Sequence, residues 1–435
     1  MKILVLTNLY PPHHAGTYDL RCQSVAELLR LRGHSLLVLT SNHGLNNEQR
    51  DDEIHRRLLL NGAFGHPLVV GMREVQKLEE RNHSVLSEAI AEFQPDLVYV
   101  WSLRGLSKGL IFALRHSRLP TVYDVADRWL AEEVREDPWL RWWNAPNTNL
   151  TRSTLELSGQ RNRLDAVAPT RMMKGIDRIP EVYGRPELVA GVQPDSIVAF
   201  RFDRIYFCSR ALKQVTEQAG FHVSHGEVIY PGIATEHFVG DVKPATAPLK
   251  RLLVVSGLDE SSGVMTAIKA MLVARQNKTP AALSIYGRGE TDYISQARSF
   301  IVQNSLPIEF LSVSNQSRDL AAIYRQHDAL IYTAESEESF ATVPLEAMAC
   351  GLPVIGAYIG GARELFRHGE NAFTYTPGDA VELASRIQEL QMQPALRCQM
   401  AETAQAESHS KYNQTTVVDQ IENYMNATLE IWQHT

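Results

Sequence analysis

Short runs of leucine and β-branched residues alternate along the chain with longer segments of helical period. That is the pattern of parallel strands covered on both faces by helices. In the first half it predicts strands at Lys2–Thr7, Leu36–Thr40, Leu97–Trp101, Thr121–Val125, Arg204–Cys208 and Glu227–Tyr230, with a long helix over Leu20–Arg32. In the second half it predicts strands at Arg251–Ser256, Ala282–Tyr286, Ile308–Leu311, Ala329–Tyr332 and Pro353–Ile355, with helices between them. Because the pattern occurs twice, the expected fold is α/β, with two facing, Rossmann-like, doubly wound domains. The first is expected over residues 1–236 and the second over 249–412, joined by a linker at 237–248 that contains Gly240, Pro244 and Pro248. Apolar residues at Val417, Val418, Ile421, Tyr424, Met425, Leu429 and Trp432 mark one face of a terminal helix within 413–435, expected to return to the first domain. The stretch at about 131–199 is longer and more polar than a crossover needs and reads as a helical insertion.

At 435 residues the chain is too long for a single core, which agrees with two domains. Its formal charge of −7 is spread along the sequence rather than gathered into a tail, so no nucleic-acid partner is expected. Cys22, Cys208, Cys350 and Cys398 lie far apart with no Cys-x-x-Cys pair, so neither disulfides nor a zinc site are expected, and the cytoplasm is the expected compartment. The opening apolar run is four residues long and precedes Pro11-Pro12, which suits a first strand better than a signal peptide. No apolar stretch reaches the roughly 18 residues of a membrane span, which leaves only peripheral membrane contact open.

The segment from Glu335 to Ile355 carries the most chemistry. It leaves a strand, forms a loop, starts a helix with Pro344 in the first turn, stops it at Gly351 and enters another strand. A helix N-terminus is thereby expected at the C-terminal edge of a parallel sheet, where open α/β folds bind ligands and where uncapped N–H groups favour phosphate. Glu338 in the loop and Glu346 in the helix flank that point. The two carboxylates are candidates to hold the hydroxyls of a sugar and of a ribose, as against lying in solvent.

The spacing Glu-x-Phe-x-x-x-x-Leu-Glu-Ala-Met-Ala-x-Gly-x-Pro-Val-Ile resembles the signature of the retaining GT-B glycosyltransferases of family 4. Flanking segments are similar to the same family: Gly360-Gly361-Ala362-Arg363-Glu364, His368-Gly369-Glu370-Asn371-Ala372, Tyr10-Pro11-Pro12 with Gly16, and Val228-Ile229-Tyr230-Pro231-Gly232-Ile233. The resemblance implies that Glu338 contacts a donor sugar, that Glu346 contacts the nucleotide ribose, and that backbone groups at Ser339, Phe340, Ala341 and Thr342 hold a diphosphate. It also implies that Gly16 lets the first loop approach the donor. Retention in the family is described as a front-face route, with the leaving phosphate helping to deprotonate the acceptor. No Asp-x-Asp motif is present, so no metal and no cofactor beyond the donor are expected.

The sequence departs from the family at three positions. Gly257 stands where the family carries an Arg, Ser262 where it carries a Lys, and Ala126 where it carries a His. Arg288, Arg210, Arg104 and Arg128 are candidate replacements for the lost cations, and Asp127 for the His. His13 and His14 lie near the expected acceptor side, and Trp139, Trp142 and Trp143 are candidates either to stack on a sugar or to anchor the insertion. The expected activity is metal-independent transfer of a sugar, with retention, from a nucleotide-diphosphate sugar to a hydroxyl of a glycan, lipid-linked or small-molecule acceptor. The three departures keep two alternatives in view: a non-catalytic nucleotide-sugar-binding relative or partner subunit, and a transferase that uses a glycosyl phosphate.

Overall fold

A computed structural model of the chain describes residues 1–139, 202, 204–311, 317–337 and 339–433. Glu338, Trp142, Trp143 and the expected insertion beyond residue 139 lie outside the described residues. The chain divides into two compact units. Unit 1 comprises Met1–Cys208, Leu212–Ile229 and Val418–Thr435, and unit 2 comprises Ser209–Ala211 and Tyr230–Val417.

Unit 1 is built in the order β1 (Lys2–Leu6), α1 (Thr17–Leu31), β2 (Ser35–Ser41), β3 (Gln49–Arg50), β4 (Ile54–Leu58), α2 (Met72–Phe93), β5 (Leu97–Val100), α3 (Leu110–Ser117), β6 (Thr121–Val125), α4 (Trp129–Glu136), β7 (Arg204–Phe207), α5 (Arg210–Gln218) and β8 (Glu227–Val228). The sheet order is β3-β4-β2-β1-β5-β6-β7-β8, parallel except for the β3–β4 pair. Along β1 and β5 every side chain from Ile3 to Leu6 and from Leu97 to Val100 is buried. Helices cover both faces, so no polar alternation survives in these strands and the apolar runs are continuous. The paired strands β3 and β4 were not expected: Ile54-His55-Arg56-Arg57-Leu58 has no apolar run, and its arginines are held by local partners such as Glu48 and Glu88 on Arg57.

Unit 2 holds β9 (Arg251–Val255), α6 (Val264–Gln276), β10 (Ala282–Tyr286), α7 (Thr291–Gln303), β11 (Ile308–Leu311), α8 (Ser317–Gln326), β12 (Ala329–Tyr332), α9 (Thr342–Ala349), β13 (Val354–Ala357), α10 (Ala362–Leu365), β14 (Phe373–Tyr375), α11 (Ala380–Met392) and α12 (Pro394–Ser410), after which α13 (Gln414–Gln433) passes into unit 1. Its six-stranded parallel sheet has the order β11-β10-β9-β12-β13-β14. The edge strand β14, three residues long, was also not expected.

Residues 237–248 pack on unit 2 rather than standing apart as a bare linker. Lys243 Nζ donates to His327 O at 2.7 Å and pairs with Asp328 Oδ1 at 2.6 Å, while Gly240 lies so close to the Cys350 carbonyl that an added Cβ would overlap it. The last helix, α13, starts among unit 2 residues and finishes in unit 1. There Tyr424 Oη donates to Ile205 O at 2.9 Å, Arg32 pairs with Asp419 and Glu422 at 2.6 Å, and Val418 and Met425 are fully buried. Among the described residues no helix is long and apolar enough to cross a membrane.

Candidate functional site

In the unit 2 sheet the chain winds outward from β9 in both directions, to β10 on one side and β12 on the other. The crevice at the C-terminal ends of β9 and β12 is therefore the topological switch point of the sheet, the place where such folds hold ligands. Two loops meet there. Thr333 Oγ1 donates to Ser262 O at 2.5 Å, Glu335 N donates to Ser261 O at 3.1 Å, and Thr266 Oγ1 donates to Glu335 Oε1. Gly263, at φ 67°, sits where a Cβ would overlap Thr333 O, so only glycine lets the loops close on each other.

The helix α9 begins at this crevice. Its N-cap is Ala341, buried and extended at φ −96° and ψ 95°, which has no side chain able to cap the first turn. Among the described residues no side chain caps this first turn, so its N–H groups and the positive end of the helix dipole suit an external anion. The approach loop is braced from behind. Phe340 packs against Tyr230 and Tyr412 with ring centroids 5.5 and 6.2 Å away, and Gly361 presses on the Ser339 carbonyl where a Cβ would collide. Ser339, Phe340 and Thr342 remain partly exposed. Glu346 lies one turn into the helix, partly exposed, and its Oε2 accepts from Tyr324 Oη at 2.9 Å. Burial raises the Glu346 carboxyl from its ordinary value to about 7, with the Tyr324 hydrogen bond acting in the opposite direction.

Around this point the candidate cations are placed differently. Gly257 has open space about it: an added Cβ would meet only Asp259 Oδ2, at 3.5 Å. Ser262 is buried and turned inward, its hydroxyl donating to Asp259 O at 2.6 Å, which leaves it with no reach toward a phosphate. Arg288 is exposed on the loop directly beside Gly257, since Ser256 N donates to Tyr286 O, Leu258 N to Arg288 O and Glu290 N to Leu258 O. Gly287 and Gly289 allow that pairing, because a Cβ at either would overlap the carbonyl of Ser256 or Leu258. Arg210 is exposed at the start of α5, where the Glu364 carboxylate accepts from the backbone N–H of Arg210 at 3.0 Å and of Ala211 at 2.8 Å.

In unit 1 the switch point lies between β1 and β5. Gly16 is the exposed N-cap of α1, with extended backbone and open space around it. Its own N–H and that of Ala15 are already bonded to Asp19 Oδ2, at 3.3 and 2.9 Å, so these two donors are not free for a phosphate. His14 is exposed on the same loop. Asp127 follows β6, and its Oδ1 accepts from the N–H of Trp129, the first residue of α4, at 3.0 Å. Burial raises its carboxyl to about 6, opposed by that hydrogen bond and by Arg104. Arg104 is 52% exposed and pairs with Glu133 at 3.4 Å, while Arg128 pairs with Glu132 at 3.3 Å. The helix α4 runs across residue 131, and Ala131, Val134 and Trp139 are buried, so the beginning of the expected insertion belongs to the unit 1 core. The described residues hold no group of three or more side chains fit to bind a metal ion.

Two site residues were not picked out from the sequence. Tyr324 lies on the inner face of α8, where its apolar neighbours make it read as core, and its partner Glu346 is on the next helix. Glu364 belongs to a segment that was singled out, but nothing in the sequence ties it to Arg210.

Residues 243–407 match the family model described as glycosyl transferases group 1. The glycogen synthase of Mycobacterium tuberculosis is 29% identical over 219 residues, which is 49% of this chain and 52% of that enzyme. The chain thus spans about half the length of that curated relative. A sucrose-phosphate synthase from Thermosynechococcus elongatus superposes with a TM-score of 0.64 at 15% identity, covering 99% of each chain. HepE from Anabaena, crystallised with UDP-glucose, gives 0.62 at 22% identity, covering 98% of this chain and all of that one. Both likenesses concern the fold, a GT-B arrangement of two Rossmann-like α/β domains. The match to the glycosyl transferases group 1 family thus lies in the second unit, and the chain as a whole has the GT-B fold of two Rossmann-like α/β domains.

Proposed function

We propose that the chain transfers a sugar from a nucleoside-diphosphate sugar to a hydroxyl of a glycan, lipid-linked or small-molecule acceptor, with retention and with no metal at the diphosphate. The observation that carries this reading is the uncapped start of α9 at the switch point, with the partly exposed Glu346 carboxylate one turn away. A diphosphate at the N–H groups of Phe340–Thr342 places a ribose beside Glu346, whose Oε1 remains to accept from a ribose hydroxyl. The donor sugar is assigned to Glu338 by the family resemblance alone, since that residue lies outside the described residues. The UDP-glucose bound by HepE supports a donor of this class.

In the step itself the bond from the anomeric carbon to the leaving phosphate breaks and a bond to the acceptor oxygen forms on the same face. A phosphate oxygen takes the acceptor proton. Charge that develops on the leaving diphosphate is offset by the dipole of α9 and by Arg288, which the paired loops hold beside the position where the family keeps its Arg. Asp127 serves as the acceptor-side polar group in place of the family His.

The inward turn of Ser262 and the bare Gly257 favour a second reading, a chain that binds a nucleotide sugar without turning it over. A thermal-shift screen without metal against UDP, GDP, ADP, TDP and their sugar conjugates, followed by assay of nucleotide release, separates the two. A shift with turnover supports transfer, a shift without turnover supports the second reading, and no shift from any nucleotide refutes both. A shift from a glycosyl phosphate alone selects the transferase that uses that donor.

A further inference from the structure

Unit 1 carries a half-open cavity of about 480 Å³ between the loops that follow β4 and β5, the first half of α2 and the residues at the end of α4. Small-molecule sites run from about 300 to 1,000 Å³. Its wall combines apolar side chains, Leu68, Val70 and Leu78 with Trp139, and a polar set of four carboxylates, Glu79, Glu133, Glu136 and Asp137, with one ammonium, Lys108.

The ammonium offers a ligand nothing. Lys108 Nζ already donates to Leu103 O at 2.7 Å, Leu106 O at 2.9 Å and Glu133 Oε2 at 3.0 Å, which uses all three of its protons. What the cavity presents is hydrogen-bond acceptors. The deepest is Glu79, only 2% exposed, whose Oε2 has no hydrogen-bond partner. His83 Nε2 stands 3.4 Å from that oxygen, outside hydrogen-bonding geometry, and neither of its ring nitrogens is bonded either. Buried polar groups left this way are costly unless something donates to them. Two of its lining residues, Glu133 and Lys108, are among the charges that act on Asp127, which follows β6.

We propose that this cavity is the acceptor pocket, and that it takes a neutral or amino-bearing carbohydrate ring rather than a phosphorylated or carboxylated acceptor. Hydroxyl or ammonium protons meet Glu79, the apolar face of the ring meets Leu68, Val70 and Trp139, and a wall with more carboxylates than ammonium groups repels an anion. The assignment rests on the transferase reading above.

The test titrates the full chain with methyl glucoside, glucosamine and glucose 6-phosphate by ligand-observed NMR, alongside Val70→Trp and Glu79→Gln. Val70 is 69% exposed at the mouth, so a Trp there obstructs entry without touching the core. Saturable binding of the first two sugars is expected, at least tenfold weaker for the phosphate, abolished by Val70→Trp and weakened about tenfold by Glu79→Gln. No saturable sugar binding, binding indifferent to both variants, or tightest binding of glucose 6-phosphate overturns the proposal. Thermal shift by nucleotides is read on the same samples. A chain that shifts with a nucleotide but binds no sugar loses this pocket alone, whereas one that binds sugar but no nucleotide loses the transferase reading and keeps a carbohydrate site.

Discussion

Replacing Glu346 by Gln should stabilise the protein while weakening the nucleotide binding proposed for it. In the folded chain burial holds the Glu346 carboxyl at about 7, against an ordinary 4.5. The folded state therefore binds this proton more tightly than the unfolded state does. The sign follows from linkage: stability from this group is fully present below pH 4.5, declines as pH rises, and is lost above about 7. The interval corresponds to about 3 kcal/mol at roughly 1.4 kcal/mol per pH unit. Gln is neutral at every pH and its amide oxygen still accepts from Tyr324, so the variant keeps what the wild type loses. Scanning calorimetry at pH 4 and pH 8 is the assay. The two proteins should melt together at pH 4, and at pH 8 the variant should melt roughly 6–12 °C higher, given about 2–4 °C per kcal/mol for a domain of this size. A gap that does not change with pH, or a variant that melts lower at pH 8, would refute the reasoning. The expected gain identifies Glu346 as a group retained at the expense of stability, as binding sites commonly are.

Tyr324→Phe removes the only donor recorded on that carboxylate among the described residues, worth about 1.5–3 kcal/mol to the charged form. Ribose binding needs the ionised carboxylate, so nucleotide affinity should rise through pH 7 in the wild type, and one to two pH units higher, roughly, in the variant; titrations that share a midpoint contradict this. Gly257→Arg places a guanidinium in open space, so stability should stay within about 0.5 kcal/mol of wild type while nucleotide affinity rises, checked by melting and titration. Arg288→Ala should lower kcat/KM for transfer about tenfold or more, and an unchanged value removes Arg288 from the diphosphate. Asp127→Asn keeps the acceptor for Trp129 N but never ionises, so the rise of wild-type activity through pH about 6, where Asp127 becomes charged, should vanish from its pH profile.

The central strands were legible because helices cover both faces of each sheet and leave unbroken apolar runs, as in Leu252-Leu253-Val254. The edges were not. Strand β4 carries His55, Arg56 and Arg57, stabilised by partners such as the carbonyl of Tyr10 on Arg56, which no period reveals. The loop before α9 could be placed from its own spacing, since a proline in the first turn and a glycine after the last turn mark the ends of a helix in sequence. The state of Ser262 could not be. Whether a buried hydroxyl faces a ligand or the carbonyl of Asp259 depends on a turn only three residues long. Pairings across the sheet, such as Tyr324 with Glu346 or Arg288 beside Gly257, depend on which strands become neighbours, and strand order is not written in local periodicity.

The helix α13 bears on how this protein is made. Unit 1 is encoded in pieces, and the piece that includes Val418, Tyr424 and Met425 is translated only after the whole of unit 2. Until then the nascent unit 1 exposes the surface around Ile205 and Arg32 that this helix will cover. The N-terminal half therefore cannot reach its finished state on the ribosome ahead of the C-terminal half, and the two acquire their final form together. The same ordering means that residues 1–229 expressed alone lack part of their own core, and that a separately soluble unit 1 requires grafting the terminal helix back onto it.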